Sequence, residues 1–138
     1  MFVAGLTQSF KEQVLLAIHD FENDVFKIAL YDSSATLDSD TTVYSTTNEV
    51  TSTGYTAGGQ VLLNPTVNAG NNIGYVSFDD PIWNGTTFSV RGALIYNYTK
   101  GNKSVGVLNF GLDQTTLNQG FKIQFPYNNP ETAIIRIL

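Results

Sequence analysis

The sequence predicts a mainly β protein: an antiparallel β-sandwich, jelly-roll or immunoglobulin-like, of about eight or nine strands with one N-terminal amphipathic helix. Three observations predict it. Apolar residues alternate with a period of two in short segments from residue 25 to the C-terminus, at intervals of roughly 8–14 residues. A helical period occurs once, near the N-terminus. Thr, Ser and Asn supply 16, 9 and 13 of the 138 residues, and these types suit strands and turns. No linker, repeat or composition break divides the chain, so residues 1–138 read as a single domain. Its folded surface is expected near 7,000 Å².

Taken in order, residues 1–8 are apolar at Phe2, Val3 and Leu6 and read as a possible docking arm. Met1 to Leu6 lacks the basic start and the length of a secretion signal, so synthesis in a cytoplasm is expected. Residues 7–22 read as the helix. Phe10, Val14, Ala17 or Ile18, and Phe21 recur every three or four residues, Ser9 and Glu12 form a capping-box pattern, and Thr7 is the alternative cap.

Val25 to Tyr31 alternates as a half-buried strand. Thr41 to Tyr44 and Glu49 to Val50 are weaker strands. Gly54 to Gly59 is a glycine-rich bend or bulge. Gln60 to Asn68 reads as one strand, with Pro65 confining it to an edge or a bulge. A turn at Asn68 to Asn72 precedes a strand from Ile73 to Phe78. Asn84-Gly85 is the strongest hairpin signal, with Thr86 to Val90 pairing back on Ile82-Trp83. Arg91 to Tyr98 holds the run Ala93-Leu94-Ile95-Tyr96, the mark of a strand buried on both faces. Ser104 to Phe110 is a strand, Gly111 to Gln119 a polar loop, and Gly120 to Phe125 a strand. Thr132 to Leu138 ends the chain as a strand that is either central in its sheet or covered by a neighbouring subunit.

Composition excludes several functions. With no cysteine there is no disulfide, thiolate zinc site or cysteine nucleophile. Seven Lys and Arg against twelve Asp and Glu give a net charge of −5, which lacks the clustered cations a nucleic-acid backbone requires. No apolar run is long enough to cross a membrane as a helix. Charged residues are only 14 % of the chain, so its exterior is largely neutral amide and hydroxyl.

No catalytic, cofactor or metal site is expected. His19 is the single imidazole and reads as a surface or capping residue. Asp38-Ser39-Asp40 lacks the glycine and distal glutamate of a calcium loop. Asp79 and Asp80 are sequence neighbours and point to opposite faces of a strand. No nucleophile elbow, phosphate loop or dinucleotide fingerprint occurs. Arg91 is expected to pair with a carboxylate such as Asp79 or Asp80 or with loop carbonyls, or to serve an intersubunit contact. Trp83, Tyr96, Tyr98 and Tyr127 read as core or interface aromatics, with a sugar platform as the alternative.

Four segments carry a resemblance: Ser9-Phe10-Lys11-Glu12-Gln13-Val14-Leu15-Leu16 leading to Phe26-Lys27-Ile28-Ala29-Leu30-Tyr31; Gly54-Tyr55-Thr56-Ala57-Gly58-Gly59; Trp83 onward through Arg91-Gly92-Ala93-Leu94-Ile95-Tyr96-Asn97; and Ala133-Ile134-Ile135-Arg136-Ile137. In overall pattern they resemble small virion structural proteins of tailed bacteriophages. The resemblance implies a non-enzymatic capsid decoration or cement protein, made in the host cytoplasm and located in the virion. Its implied partners are the major capsid protein and its own copies, in a homotrimer. A tail-fibre or carbohydrate- and receptor-binding module shares the same sequence logic. The candidate interface residues are Phe2, Val3, Leu6, Trp83, Arg91, Tyr96, Ile137 and Leu138, with no nucleic acid and no membrane as partner.

Overall fold

A computed structural model describes residues 1–138. Ten strands and one helix follow in the order β1 (Gly5–Leu6), α1 (Gln8–Leu15), β2 (Phe26–Tyr31), β3 (Gln60–Val61), β4 (Thr66–Gly70), β5 (Ile73–Ser77), β6 (Ile82–Thr86), β7 (Ser89–Asn97), β8 (Lys103–Thr115), β9 (Gln119–Lys122) and β10 (Ile135–Ile137). They form a five-stranded sheet, β1-β8-β7-β2-β3, a three-stranded sheet, β10-β5-β4, and a two-stranded ribbon, β6-β9. Every pairing between strands is antiparallel. The fold is a mainly β, sandwich-like architecture, with 7301 Å² of accessible surface.

The five-stranded sheet is covered on both faces. Phe26, Ile28 and Leu30 of β2 and Ala93 and Ile95 of β7 enter the larger core with Phe10, Val76, Trp83, Phe88, Ile123 and Ile135. Their alternates Ala29, Tyr31, Leu94 and Tyr96 enter a smaller core closed by Phe2, Ala35, Leu37 and Val107. Two covered faces explain the unbroken apolar run in β7, since neither set of alternating side chains meets water.

Helix α1 is shorter than the predicted span of residues 7–22. Thr7, not Ser9, is the N-cap, its hydroxyl accepting from the Phe10 N–H at 3.4 Å. Ala17 adopts a left-handed conformation (φ 58°) and ends the helix. Asp20 then accepts from the Glu22 and Asn23 N–H groups, a turn that competes with helix. This turn brings Phe21 onto Phe26, with parallel rings 4.4 Å apart. The apolar period thus continues through a turn that is not helical.

The hairpin signal also resolves differently. Asn84-Gly85 does not join two paired strands. It lies inside β6, where the pairing to β9 shifts register between Trp83 and Thr86. The buried Thr86 hydroxyl sits 2.7 Å from both Thr116 Oγ1 and the Gln119 carbonyl, and Phe88 N–H donates to Thr116 Oγ1. These distant partners outcompete the local turn. The two-residue hairpin is Asn71-Asn72, both at positive φ (52° and 63°), joining β4 to β5.

Further segments depart from expectation. Gln60 to Asn68 is not one strand: Asn64 turns left-handed (φ 54°) before Pro65, so β3 joins one sheet and β4 another. Thr41 to Tyr44 and Glu49 to Val50 are reduced to isolated bridges, Val43 to Lys103 and Tyr31 to Glu49. The predicted loop after Gly111 largely belongs to β8, which continues to Thr115 through an irregular stretch opposite Val90 and Gly92. Strand β10 is not central in its sheet. It bonds β5 alone and forms the edge of its sheet.

Candidate functional site

The candidate interface residues do not converge. Residues 1–8 are built into the fold rather than free as an arm. The Val3 N–H donates to Leu37 C=O (2.9 Å), the Leu37 N–H donates to Met1 C=O (2.9 Å), and β1 pairs with β8. Phe2 packs in the smaller core, and Leu6 packs against the larger. Trp83 and Tyr96 are 4 % and 1 % exposed, so neither presents its ring to a partner. Tyr96 stacks on Tyr44 with ring centres 4.6 Å apart, and its hydroxyl donates to Gly58 C=O at 2.6 Å. Arg91 pairs with neither Asp79 nor Asp80; its Nε meets Asp113 Oδ1 at 2.8 Å, because β7 and β8 are neighbours there. Val3, Ile137 and Leu138 are exposed, the last at 89 %.

A buried polar cluster surrounds Glu49, which lies in the segment expected to be a weak strand. Tyr44 Oη donates to Glu49 Oε1 at 2.7 Å. Tyr55 Oη donates to Oε2, which also accepts the Gly58 N–H at 2.8 Å. Glu49 is buried and belongs to none of the three ion pairs. Burial, then the neighbouring carboxylate, raises the ionisation of Tyr44 and Tyr55 above the ordinary tyrosine range. Burial and Glu49 likewise push Tyr96 up to about 12. The hydroxyls therefore stay neutral donors that hold the loop of residues 44–59 against β2 and β7. The chemistry is that of a structural clamp, and only its tyrosine-and-glutamate composition hinted at it.

His19 lies beyond the helix, not on its surface. Its Nε2 is 2.8 Å from Gln13 Oε1 and its Nδ1 is 3.0 Å from Asn97 Nδ2. Asn97 Nδ2 also donates to Asp24 Oδ2 at 2.9 Å, and Asn97 Oδ1 accepts the Lys100 N–H. With Asn97 oriented this way, Nδ1 accepts and Nε2–H donates, which is a neutral imidazole. Desolvation lowers its pKa to about 4, outweighing the attraction of Asp24.

No group of three or more His, Asp or Glu side chains is clustered for metal binding. Asp79 hydrogen-bonds Asn64, whereas Asp80 accepts the Phe125 N–H and lies 3.6 Å from Lys122 Nζ; the two acids diverge.

Two concavities stand out. The larger, about 430 Å³, runs between the β1–β8 edge and the segment before and within β10. Ala4, Leu6, Ile95, Leu108, Phe110 and Ile134 give it an apolar lining. The second, about 330 Å³, is lined by the hydroxyl side chains Ser34, Thr36, Thr41, Ser45 and Thr47 with Asn48, Tyr31 and two aliphatics. It has no charged wall.

The fold and these surfaces define the class: a mainly β, sandwich-like domain with an apolar groove and a neutral polar cleft. No family model, no curated protein and no solved structure matches the chain.

Proposed function

We propose that this protein is a non-enzymatic structural subunit of a bacteriophage virion, a capsid decoration or cement protein that seats on the lattice of the major capsid protein. The observation that carries the reading is the apolar groove, which leaves part of the core open to an occupant. A concavity with an apolar lining is a natural seat for a partner's apolar side chains. A surface of low charge adds support, because amides and hydroxyls press against a neighbour at little desolvation cost. The resemblance of the four segments to virion proteins supplies the setting. Own copies in a trimer suit repeated lattice positions and multiply modest contacts.

Quantifying the protein in purified particles tests the reading. Copies in proportion to the capsid lattice are expected. A handful per particle moves the protein to the tail, and absence from particles overturns the proposal.

A second reading, a tail-fibre or carbohydrate-binding module, is favoured by the hydroxyl-lined cleft and by Tyr98 and Tyr127, which are exposed. Trp83 and Tyr96 are unavailable to it as a platform, being buried. Glycan binding without particle association supports this second reading over the first.

A further inference from the structure

We infer that the apolar groove is an acceptor site for an extended strand of a partner polypeptide, taken up by β-strand addition. The inference rests on the reading of the protein as an assembly subunit and names how that subunit engages its partner.

The walls of the groove are strand edges. One is β1, at the end of the five-stranded sheet; the other is β10, at the end of the three-stranded sheet. Gly5 and Leu6 of β1 both line the groove, as do Ile135 and Arg136 of β10, with Ala4, Ala133 and Ile134 just before them. Consecutive residues of a strand point to opposite faces, so a run that lines a groove without skipping meets it edge-on.

Main-chain groups on both walls lack partners. Ala4 and Ile134 make no backbone hydrogen bond at either their N–H or their C=O. Leu6 stands opposite Gly106, and Thr7 N–H bonds the Val105 carbonyl; by the alternation of an antiparallel ladder, Leu6 directs both of its groups away from β8. Another polypeptide backbone offers donors and acceptors at the spacing these edges present.

The floor selects an apolar occupant. Ile95 and Ile135 belong to the larger core, while Leu6, Leu108, Phe110 and Ile134 are only partly covered beside it. A strand lying here adds its inward side chains to that core. Gly106 to Phe110 spans roughly 13 Å, the length of a four- or five-residue strand. Arg136, on the wall, belongs to none of the three ion pairs, and its Nε donates to Pro130 C=O. An acid on the incoming strand complements it. The occupant is therefore an extended, alternately apolar segment that carries a carboxylate, and it comes from a different protein because the strands of this chain are already paired within its own sheets.

The test uses the full chain extended after Leu138 by a flexible Gly/Ser linker and a strand of alternating Val and Thr with one Glu. A control extension carries Pro at alternate positions. Tethering removes the need for high intrinsic affinity. Amide hydrogen exchange at Ala4, Leu6 and Ile134 is expected to slow by about ten-fold or more with the strand and not with the control, and the melting temperature is expected to rise. Equal exchange in the two fusions overturns the inference. So does a concentration-dependent dimer of the unextended protein that protects the same amides, which would assign the groove to a second copy. Particle association is measured separately. Unslowed exchange in a protein that does bind particles sinks strand addition alone, whereas slowed exchange in a protein absent from particles sinks the virion reading alone.

Discussion

Glu49 Oε1 accepts the Tyr44 hydroxyl at 2.7 Å, and the other oxygen of the same buried carboxylate is held by Tyr55 and the Gly58 N–H. One side chain thus satisfies three donors and pins a loop that has almost no strand structure of its own.

Replacing that side chain is expected to be costly. Glu49→Ala leaves the three donors unpaired and is expected to remove about 3–5 kcal/mol. Glu49→Gln keeps one acceptor oxygen and is expected to cost about 1–3 kcal/mol. Urea unfolding of both variants checks the order. A loss below that of an ordinary surface substitution for Glu49→Ala would deny the clamp.

His19 makes stability depend on pH. Its folded pKa is about 4 against 6.5 when unfolded, so the unfolded chain binds the proton first. This contribution is fully present above pH 6.5 and is lost as pH falls towards 4. Asp24, bridged to His19 by Asn97, is also held below the usual carboxylate range. Burial opposes that shift, and the hydrogen bond from Asn97 heads the favourable contributions that outweigh it. Its contribution falls away at still lower pH. Because the imidazole is only half-buried, the part due to His19 is on the order of 1–2 kcal/mol. His19→Gln is expected to flatten the stability profile between pH 4 and 6.5, read by unfolding at a series of pH values; an unaltered slope would refute the assignment.

Two glycines at the same φ of +78° should respond differently. A Cβ on Gly59 would lie 1.8 Å from the Ile28 carbonyl oxygen, so Gly59→Ala is expected to prevent stable folding. A Cβ on Gly111 meets nothing within 4 Å, so Gly111→Ala carries only the backbone strain, about 1 kcal/mol. Thermal melts of the pair separate contact from conformation.

The Arg91–Asp113 pair is expected to matter little to stability despite its 2.8 Å separation. The two side chains are 34 % and 45 % exposed, and such pairs are worth less than about 1 kcal/mol. A double-mutant cycle with Arg91→Ala and Asp113→Ala measures the coupling, and a value well above that limit would contradict the exposed-pair view.

Periodicity carried much of the fold. The alternation of Phe26, Ile28 and Leu30 marked β2, the continuous run Ala93 to Tyr96 marked a strand covered twice, and Asn71-Asn72 lay in the predicted turn. These signals are local: a side chain's face follows from its place in the strand. The Asn84-Gly85 signal is equally local and resolved differently, because Thr116 and Gln119 offer Thr86 partners that no short-range pattern contains. The end of α1 was hidden for a related reason, since Phe21 keeps the helical spacing while packing from a turn.

Almost nothing of the candidate site was legible. Leu6 was named in advance, but its groove partners Leu108 and Ile134 come from strands whose adjacency is set by sheet order. Trp83 and Tyr96 carry the aromatic character of an interface, but both point inward. The sequence by itself determined strand character, the absence of thiol chemistry and a weakly charged exterior, since these depend on residue type and near-neighbour spacing. Only the tertiary structure decided which strands stand at the edges, which main-chain groups stay unpaired and which acid is buried among tyrosines. Those are properties of contacts between residues far apart in the chain, and sequence spacing carries no record of them.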